Sequence, residues 1–310
     1  MENSFYISIK GVPMPKVLSG KSVRSVLNYK AKPGQIYIAA YPKCGTSWMQ
    51  TIALLILRKG QVSEDPLDFF LGCPCIELLG ADYIEESKAK IIKTHVPYYA
   101  ISHSDEAKYI YVARNPKDCC VSYYYHMKLL LPKDTDLSFD KFFDGFIEGS
   151  IGYGDYFDHL LEWYQHRNDK NVHFVTYENL KKDIRGEIMK ISKFIGEEYE
   201  KCILENPTIL ENIVYYSSFD YMKKHTNKAI EALVNGHKVF KNRDLPDTLI
   251  EIMKLSSENI ENKANGDFVR KGIVGDWKNH FNEKQIKLLD EKIAEKTKNS
   301  DVMNLWKDIL

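Results

Sequence analysis

Short apolar runs alternate along the chain with longer stretches of helical spacing. Gln35 to Ala40 (QIYIAA) is a compact run of apolar and aromatic residues closed by a Pro/Gly turn. Its length and β-branched content predict a buried strand. Ser47 to Arg58 is apolar almost all round and predicts a buried helix. Ala89 to Thr94 (AKIIKT), Lys108 to Ala113 (KYIYVA) and Val172 to Thr176 (VHFVT) predict three further strands. Helical patterns cover 116–131, 155–165 and 183–194. The first of these opens with a cap at Asn115, Pro116 in the first helical position and Asp118 in the first turn. Strands alternating with helices predict an α/β fold, a single domain with a central parallel sheet flanked by helices.

Three stretches stand outside that rhythm. Residues 1–34 carry Pro13, Pro15 and Pro33 and read as irregular. Residues 223–266 are polar and poorly periodic, which fits a lid or acceptor-binding insertion, or simply mobile surface. Residues 281–310 read as a charged, exposed helix.

Composition narrows the function classes. With 310 residues, 44% of them hydrophobic, the chain is long enough to bury a core without disulfides or structural metal. Lys plus Arg and Asp plus Glu are 43 each, so the basic excess usual in a nucleic-acid binder is missing, although a local basic pocket is still allowed. Met1 to Lys10 lacks a charged segment leading into a long apolar run, and Ile52 to Leu57 is too short to span a bilayer. A cytoplasmic protein without membrane or nucleic-acid partners is expected. The cysteines at 44, 73, 75, 119, 120 and 202 do not follow a zinc pattern, because Cys73-Pro74-Cys75 leaves one residue between thiols. Free thiols and no metal are expected.

Candidate chemistry starts at Ala40-Tyr41-Pro42-Lys43-Cys44-Gly45-Thr46-Ser47, between the first strand and its helix. Against the phosphate-loop pattern G-x-x-x-x-G-K-[ST], Gly45 and Ser47 fall in register. Ala40 replaces the first glycine, Thr46 replaces the lysine, and the lysine stands earlier, at Lys43. Backbone N–H groups at a helix start favour an anion, but the segment also reads as an ordinary turn tightened by a glycine. Arg114 stands at the end of the third strand, where parallel sheets bind ligands, with Ser122 on the next helix. The pair suits a second phosphate, or Arg114 is a surface residue paired with Asp118. Phe268 to Asn279 places Arg270 and Lys271 beside Gly272 and Gly275, either a phosphate wrap or a solvated turn. Lys93 and His95 lie two apart at a strand end and project to one side if the chain stays extended there. Histidine is the usual base near neutrality.

Together these segments resemble the cytosolic sulfotransferases. YPKCGTSW resembles that family's 5′-phosphosulfate loop, YVARNPKDCCVSYYYH its 3′-phosphate segment, and RKGIVGDWKNHF its C-terminal nucleotide motif. KTHVPY (93–98), VTYENLKKD (175–183) and SSFDYMKK (217–224) extend the likeness in family order from about residue 35 to 281. The resemblance implies one sulfotransferase domain over 1–310, with 3′-phosphoadenosine 5′-phosphosulfate as donor and no metal. It implies that Lys43, Gly45, Thr46 and Ser47 hold the 5′-phosphosulfate, and that Trp48 and Phe219 sandwich the adenine. Arg114, Ser122, Arg270, Lys271 and Gly272 would bind the 3′-phosphate, Tyr177 and Ser217 the adenine edge, with Met222 and Phe268 completing the nucleotide set. Trp48, Phe219 and Tyr177 also read as plain core packing.

By the same resemblance His95 is the catalytic base, Lys93 touches the sulfuryl oxygens, and Lys43 and Ser122 complete the catalytic set. A cation at Lys43 would stabilise charge growing on the leaving oxygen. Phe69, Phe70, Cys73 and His126 are expected on the acceptor side. The acceptor is a small hydroxyl compound (a phenol, catecholamine or steroid) or an amine. The family's short dimer motif is degraded, with Asn282-Glu283 after Lys278 where Thr-Val is expected, so a monomer or a differently built homodimer is expected. A phosphotransferase and a nucleotide binder that has lost its reaction are the rival readings.

Overall fold

The computed structural model describes residues 6–9, 11–15, 18, 20–26, 28–131, 135–239, 245–258 and 266–310. A parallel sheet forms the centre, from β3 (Ile36–Ala39), β4 (Ile91–Thr94), β5 (Lys108–Ala113) and β6 (Val172–Thr176), after an N-terminal hairpin of β1 (Tyr6–Ile9) and β2 (Val12–Pro15). The sheet order is β4-β3-β5-β6, with Ile36 opposite both Ile91 and Lys108. The chain goes from β3 outward to β4 and then returns to the other side of β3. Winding therefore reverses between β3 and β5, and open parallel sheets bind ligands beyond the strand ends at such a reversal.

Helices surround the sheet, and those expected over 47–58, 116–131, 155–165 and 183–194 form close to their expected bounds. After α1 (Gly20–Val26) come α2 (Thr46–Leu57), the short α3 (Asp68–Leu71) and α4 (Ile76–Ser87). Then follow α5 (Pro116–Leu130), α6 (Phe139–Glu148), α7 (Tyr156–Gln165), α8 (Tyr177–Lys182) and α9 (Ile184–Ile195). The chain closes with α10 (Glu197–Glu205), α11 (Pro207–Tyr216), α12 (Phe219–Val239), α13 (Asp247–Glu258) and α14 (Glu283–Thr297). Strand β3 is buried at every position, which is why its sequence is apolar throughout instead of alternating. Asn115 caps α5 as its sequence predicts, accepting from the Asp118 N–H at 2.8 Å.

Three expectations change. The described part of residues 1–34 is not irregular: the hairpin pairs Ser8 with Pro13, and α1 follows. A two-stranded hairpin tolerates the prolines, because an edge position does not need every N–H. Most of 223–266 is helical, in α12 and α13; 240–244 and 259–265 lie outside the described residues. Residues 281–310 are not one exposed helix: α14 gives way to a 3-10 turn in which Trp306 is fully buried. Among the described residues, no helix is long and apolar enough to cross a membrane.

Candidate active site

The turn from β3 into α2 is built around two left-handed residues, Lys43 at φ 67° and Gly45 at φ 110°. A non-glycine there costs about 1–2 kcal/mol. Burial of Cys44 between them, with its Sγ 3.6 Å from that of Cys119, anchors the turn. A Cβ on Gly45 would lie 3.0 Å from the Tyr177 ring, so glycine lets that ring close on the loop. No side chain caps α2. Its first N–H groups are thus available to an anion. Thr46 is buried and Ser47 half-buried beside them.

Cations converge on this turn. Burial pushes the Lys43 ammonium down to about 7, and the charges of Arg114, Lys93 and Arg270 push the same way. Its Nζ lies 4.2 Å over the Phe268 ring. Arg114, from the end of β5, is buried, donates to the carbonyls of Lys43 (3.3 Å) and Ile273 (3.2 Å), and lies 4.4 Å over Tyr177. Its buried Nε has no partner among the described residues. The pairing of Arg114 with Asp118 does not occur. Asp118 instead accepts the backbone N–H groups of Gly275 (2.7 Å) and Trp277 (3.0 Å), which docks the C-terminal motif against α5.

Within that motif, Arg270 and Lys271 both bind Asp276, at 2.6 and 2.8 Å. Burial would raise the Asp276 pKa, but hydrogen bonds from Lys271, Arg270 and Asn279 outweigh it and hold the carboxylate well below its usual range. Asp276 was not singled out in the sequence, although it lies inside the quoted motif. Gly272, at φ 64°, lies under Phe219, where an added Cβ would stand 2.4 Å from the ring.

The β4 end carries the candidate base. His95 Nδ1 lies 2.8 Å from the Ala40 carbonyl. A carbonyl only accepts, so Nδ1 carries the proton and Nε2 is left with its lone pair, the form a base requires. Burial, then the Lys93 charge, lowers its pKa to about 3. The ring is therefore neutral at physiological pH. The main chain of His95 is gripped on both sides: its N–H donates to the Glu77 carboxylate, and His159 Nε2 donates to its carbonyl at 3.1 Å. The Tyr111 hydroxyl donates to His159 Nδ1 at 2.9 Å. Glu77 and His159 were not found from sequence; the only signal for Glu77 is an acid in a helix first turn after Cys73-Pro74-Cys75.

The remaining expected residues divide. Trp48 meets Tyr177 edge-on at 5.3 Å, and its buried Nε1 has no partner among the described residues. Ser217 and Met222 are buried, and the Ser217 hydroxyl donates to the Ile213 carbonyl at 2.6 Å. Ser122 is half-buried on α5. Of the residues expected on the acceptor side, Phe69 faces Lys93, with Nζ 5.8 Å from its ring, but Phe70 packs into a separate apolar cluster of Leu67, Leu79, Leu245, Leu249 and Met253. Cys73 is buried, which pushes its thiol up to about 12. His126 meets Phe268 edge-on at 5.5 Å; burial, then Lys43, His95 and Lys93, holds it neutral. Among the described residues, no group of three or more His, Cys, Asp and Glu could hold a metal ion.

The sulfotransferase domain family matches residues 33–301. The mouse sulfotransferase 1E1 is 30% identical, covering 94% of this chain and 93% of that protein. A rabbit amine sulfotransferase is 29% identical over 99% of this chain and 96% of its own length. A crystal structure of the mouse sulfotransferase SULT7A1 complexed with PAP superposes with a TM-score of 0.71 at 27% identity, covering 98% of both chains. A phosphate-type turn at the sheet's reversal, cations gathered around it and a neutral histidine beside them accompany that likeness, and the chain belongs to the sulfotransferase family.

Proposed function

We propose that the protein transfers the sulfuryl group of 3′-phosphoadenosine 5′-phosphosulfate to the hydroxyl of a small acceptor, a phenol, catecholamine or steroid, or to an amine. The observation that carries this reading is the crowding of Lys43, Lys93, Arg114 and Arg270 around one turn, where burial first and then those neighbouring charges depress Lys43 to about 7. Like charges so placed are stabilised by a multiply charged anion.

The residues present fit such a donor. The uncapped α2 N-terminus and Lys43 suit its 5′ end. Arg114 with Ser122, and Arg270 and Lys271 on the docked C-terminal motif, suit its 3′-phosphate. Trp48 and Phe219 offer faces for the adenine, with Tyr177, Ser217, Met222 and Phe268 around it. When bound, the donor supplies an electrophilic sulfur and a phosphate leaving group. His95 Nε2 takes the acceptor proton, Lys93 steadies charge on the sulfuryl oxygens, and Lys43 meets the charge that grows on the leaving oxygen. Phe69, Cys73 and His126 lie on the acceptor side.

The test is to incubate purified protein with the donor and a panel of phenols, catecholamines, steroids and amines in EDTA, and to assay sulfated product and released adenosine 3′,5′-bisphosphate. Product is expected, undiminished by chelator. Activity that needs ATP and Mg²⁺ would favour a phosphotransferase, and tight nucleotide binding without any product would favour a binder. Neither product nor binding would overturn the proposal.

A further inference from the structure

We infer that Glu77 is a positioning residue for the reaction, fixing the strand end from which Lys93 and His95 reach the site. This rests on the sulfuryl-transfer reading above. Residues 74 and 75 run beside the outer edge of β4: the Lys93 N–H donates to the Pro74 carbonyl at 2.9 Å, and Cys75 forms a parallel bridge with Lys93. Helix α4 starts at the next residue, which brings Glu77 in its first turn over the end of β4.

There the carboxylate is fully buried and organises consecutive residues. One oxygen accepts the Thr94 hydroxyl at 2.9 Å and the His95 N–H. The Thr94 hydroxyl oxygen in turn accepts the Val96 N–H at 3.1 Å. Thus one oxygen atom holds residues 94 to 96, directly and through a hydroxyl. The other oxygen accepts the Cys75 thiol at 3.2 Å. These donors are all neutral, and among the described residues no Lys or Arg forms an ion pair with Glu77. Burial raises its pKa, opposed by these hydrogen bonds.

Glu77 does not itself act as the base in this arrangement, because its oxygens are occupied within the fold. Its effect passes through His95. The bond from Nδ1 to the Ala40 carbonyl, which leaves Nε2 free, depends on where the His95 backbone sits. Releasing the N–H on one side leaves only the His159 contact to the carbonyl on the other. A reacting group displaced by about 1 Å can lose on the order of 10²-fold in rate.

The experiment compares Glu77→Ala, Glu77→Gln and Thr94→Val with the wild-type enzyme. Three readouts are taken: kcat, the Kd for adenosine 3′,5′-bisphosphate, and the ring ¹⁵N shifts of His95, which report its tautomer. Glu77→Ala is expected to lower kcat by about 10²-fold, with nucleotide Kd changed less than about twofold, because the nucleotide residues stand on other elements. Its His95 ring loses the single Nδ1–H tautomer. Glu77→Gln, whose amide oxygen still accepts both donors, is expected to restore most of kcat. Thr94→Val, which removes only the hydroxyl relay, is expected to fall between them and decides the matter if Glu77→Ala does not fold. Wild-type kcat and tautomer in Glu77→Ala, or in Thr94→Val should the alanine variant not fold, would overturn the inference. So would a Gln variant no better than Ala, or kcat and nucleotide affinity lost together. A wild-type enzyme without turnover whose His95 tautomer still changes in Glu77→Ala would instead sink the sulfuryl-transfer reading and leave the positioning role standing.

Discussion

A lysine that titrates near neutrality would couple binding of the proposed donor to pH. Lys43 has a pKa of about 7 in the free protein, and an anion beside it stabilises the ammonium and raises that value. Above pH 7 the binding event must therefore take up a proton. Affinity for adenosine 3′,5′-bisphosphate is expected to weaken as pH rises, by up to about tenfold per unit. Calorimetric titration from pH 6 to 9 checks this, and Lys43→Met is expected to flatten the slope. Lys43→Ala is also expected to slow the chemical step about 10²–10³-fold; single-turnover rates at saturating donor separate that from weaker binding. His95→Ala is expected to abolish most turnover with nucleotide affinity kept, and substantial remaining turnover would remove His95 from the role. The positions of Lys93, Arg114 and His95 were legible in the sequence because each sits at or beside the end of a readable strand, and that of Lys43 because it stands in a phosphate-loop pattern. Glu77 and Asp276 were not. Glu77 acts on a residue 18 positions away, and no local pattern encodes which strand end a buried acid will meet.

Elements were legible where their burial leaves a regular trace. The strands of the sheet and helices α2, α5, α7 and α9 fall within a residue or two of the sequence expectation, β3 and α2 because burial on both faces forces apolar runs, and α7 and α9 because one buried face sets a helical spacing. The hairpin and α12 were not, since Pro13 and Pro15 read as breakers and α12 is polar along much of its length. The contact between α12 and the C-terminal motif makes a sharp prediction. Gly272→Ala adds a Cβ at φ 64° and 2.4 Å from the Phe219 ring, so the loop and the ring must separate. Nucleotide affinity is expected to drop about tenfold, an order that follows from roughly 1–2 kcal/mol of left-handed strain. Fluorescence titration with the bisphosphate checks it, and an unchanged Kd would show that the two do not act together.

At the scale of the whole molecule, Trp306 is one of the side chains that tie the C-terminal region into the site's scaffold. Trp306 donates to the Glu178 carboxylate at 2.7 Å, and the other oxygen of Glu178 accepts the backbone N–H and a side-chain amide N–H of Asn115, each at 2.9 Å. Trp306→Phe keeps the ring but leaves that buried oxygen without its donor. It is expected to destabilise the fold by about 1–3 kcal/mol, read from urea unfolding, with an unaltered midpoint counting against the tie. The sequence reading put this tryptophan on an exposed helix, because a 3-10 turn leaves no periodic trace. The dimer-motif departure has a local use: Asn282 caps α14 in a capping box with Gln285, so these residues serve the chain's own helix.

The formal charges of the chain cancel, 43 against 43, yet the cations around Lys43 are concentrated in one partly buried place. Such a cleft focuses its field outward and captures oppositely charged molecules from solution faster than diffusion alone. The anionic donor feels that pull, and an uncharged acceptor does not. Added salt, which shortens the reach of the field, would slow the donor's arrival and leave the acceptor's untouched. For the proposed reaction, the order in which the two substrates meet the enzyme would then depend on ionic strength as well as on concentration.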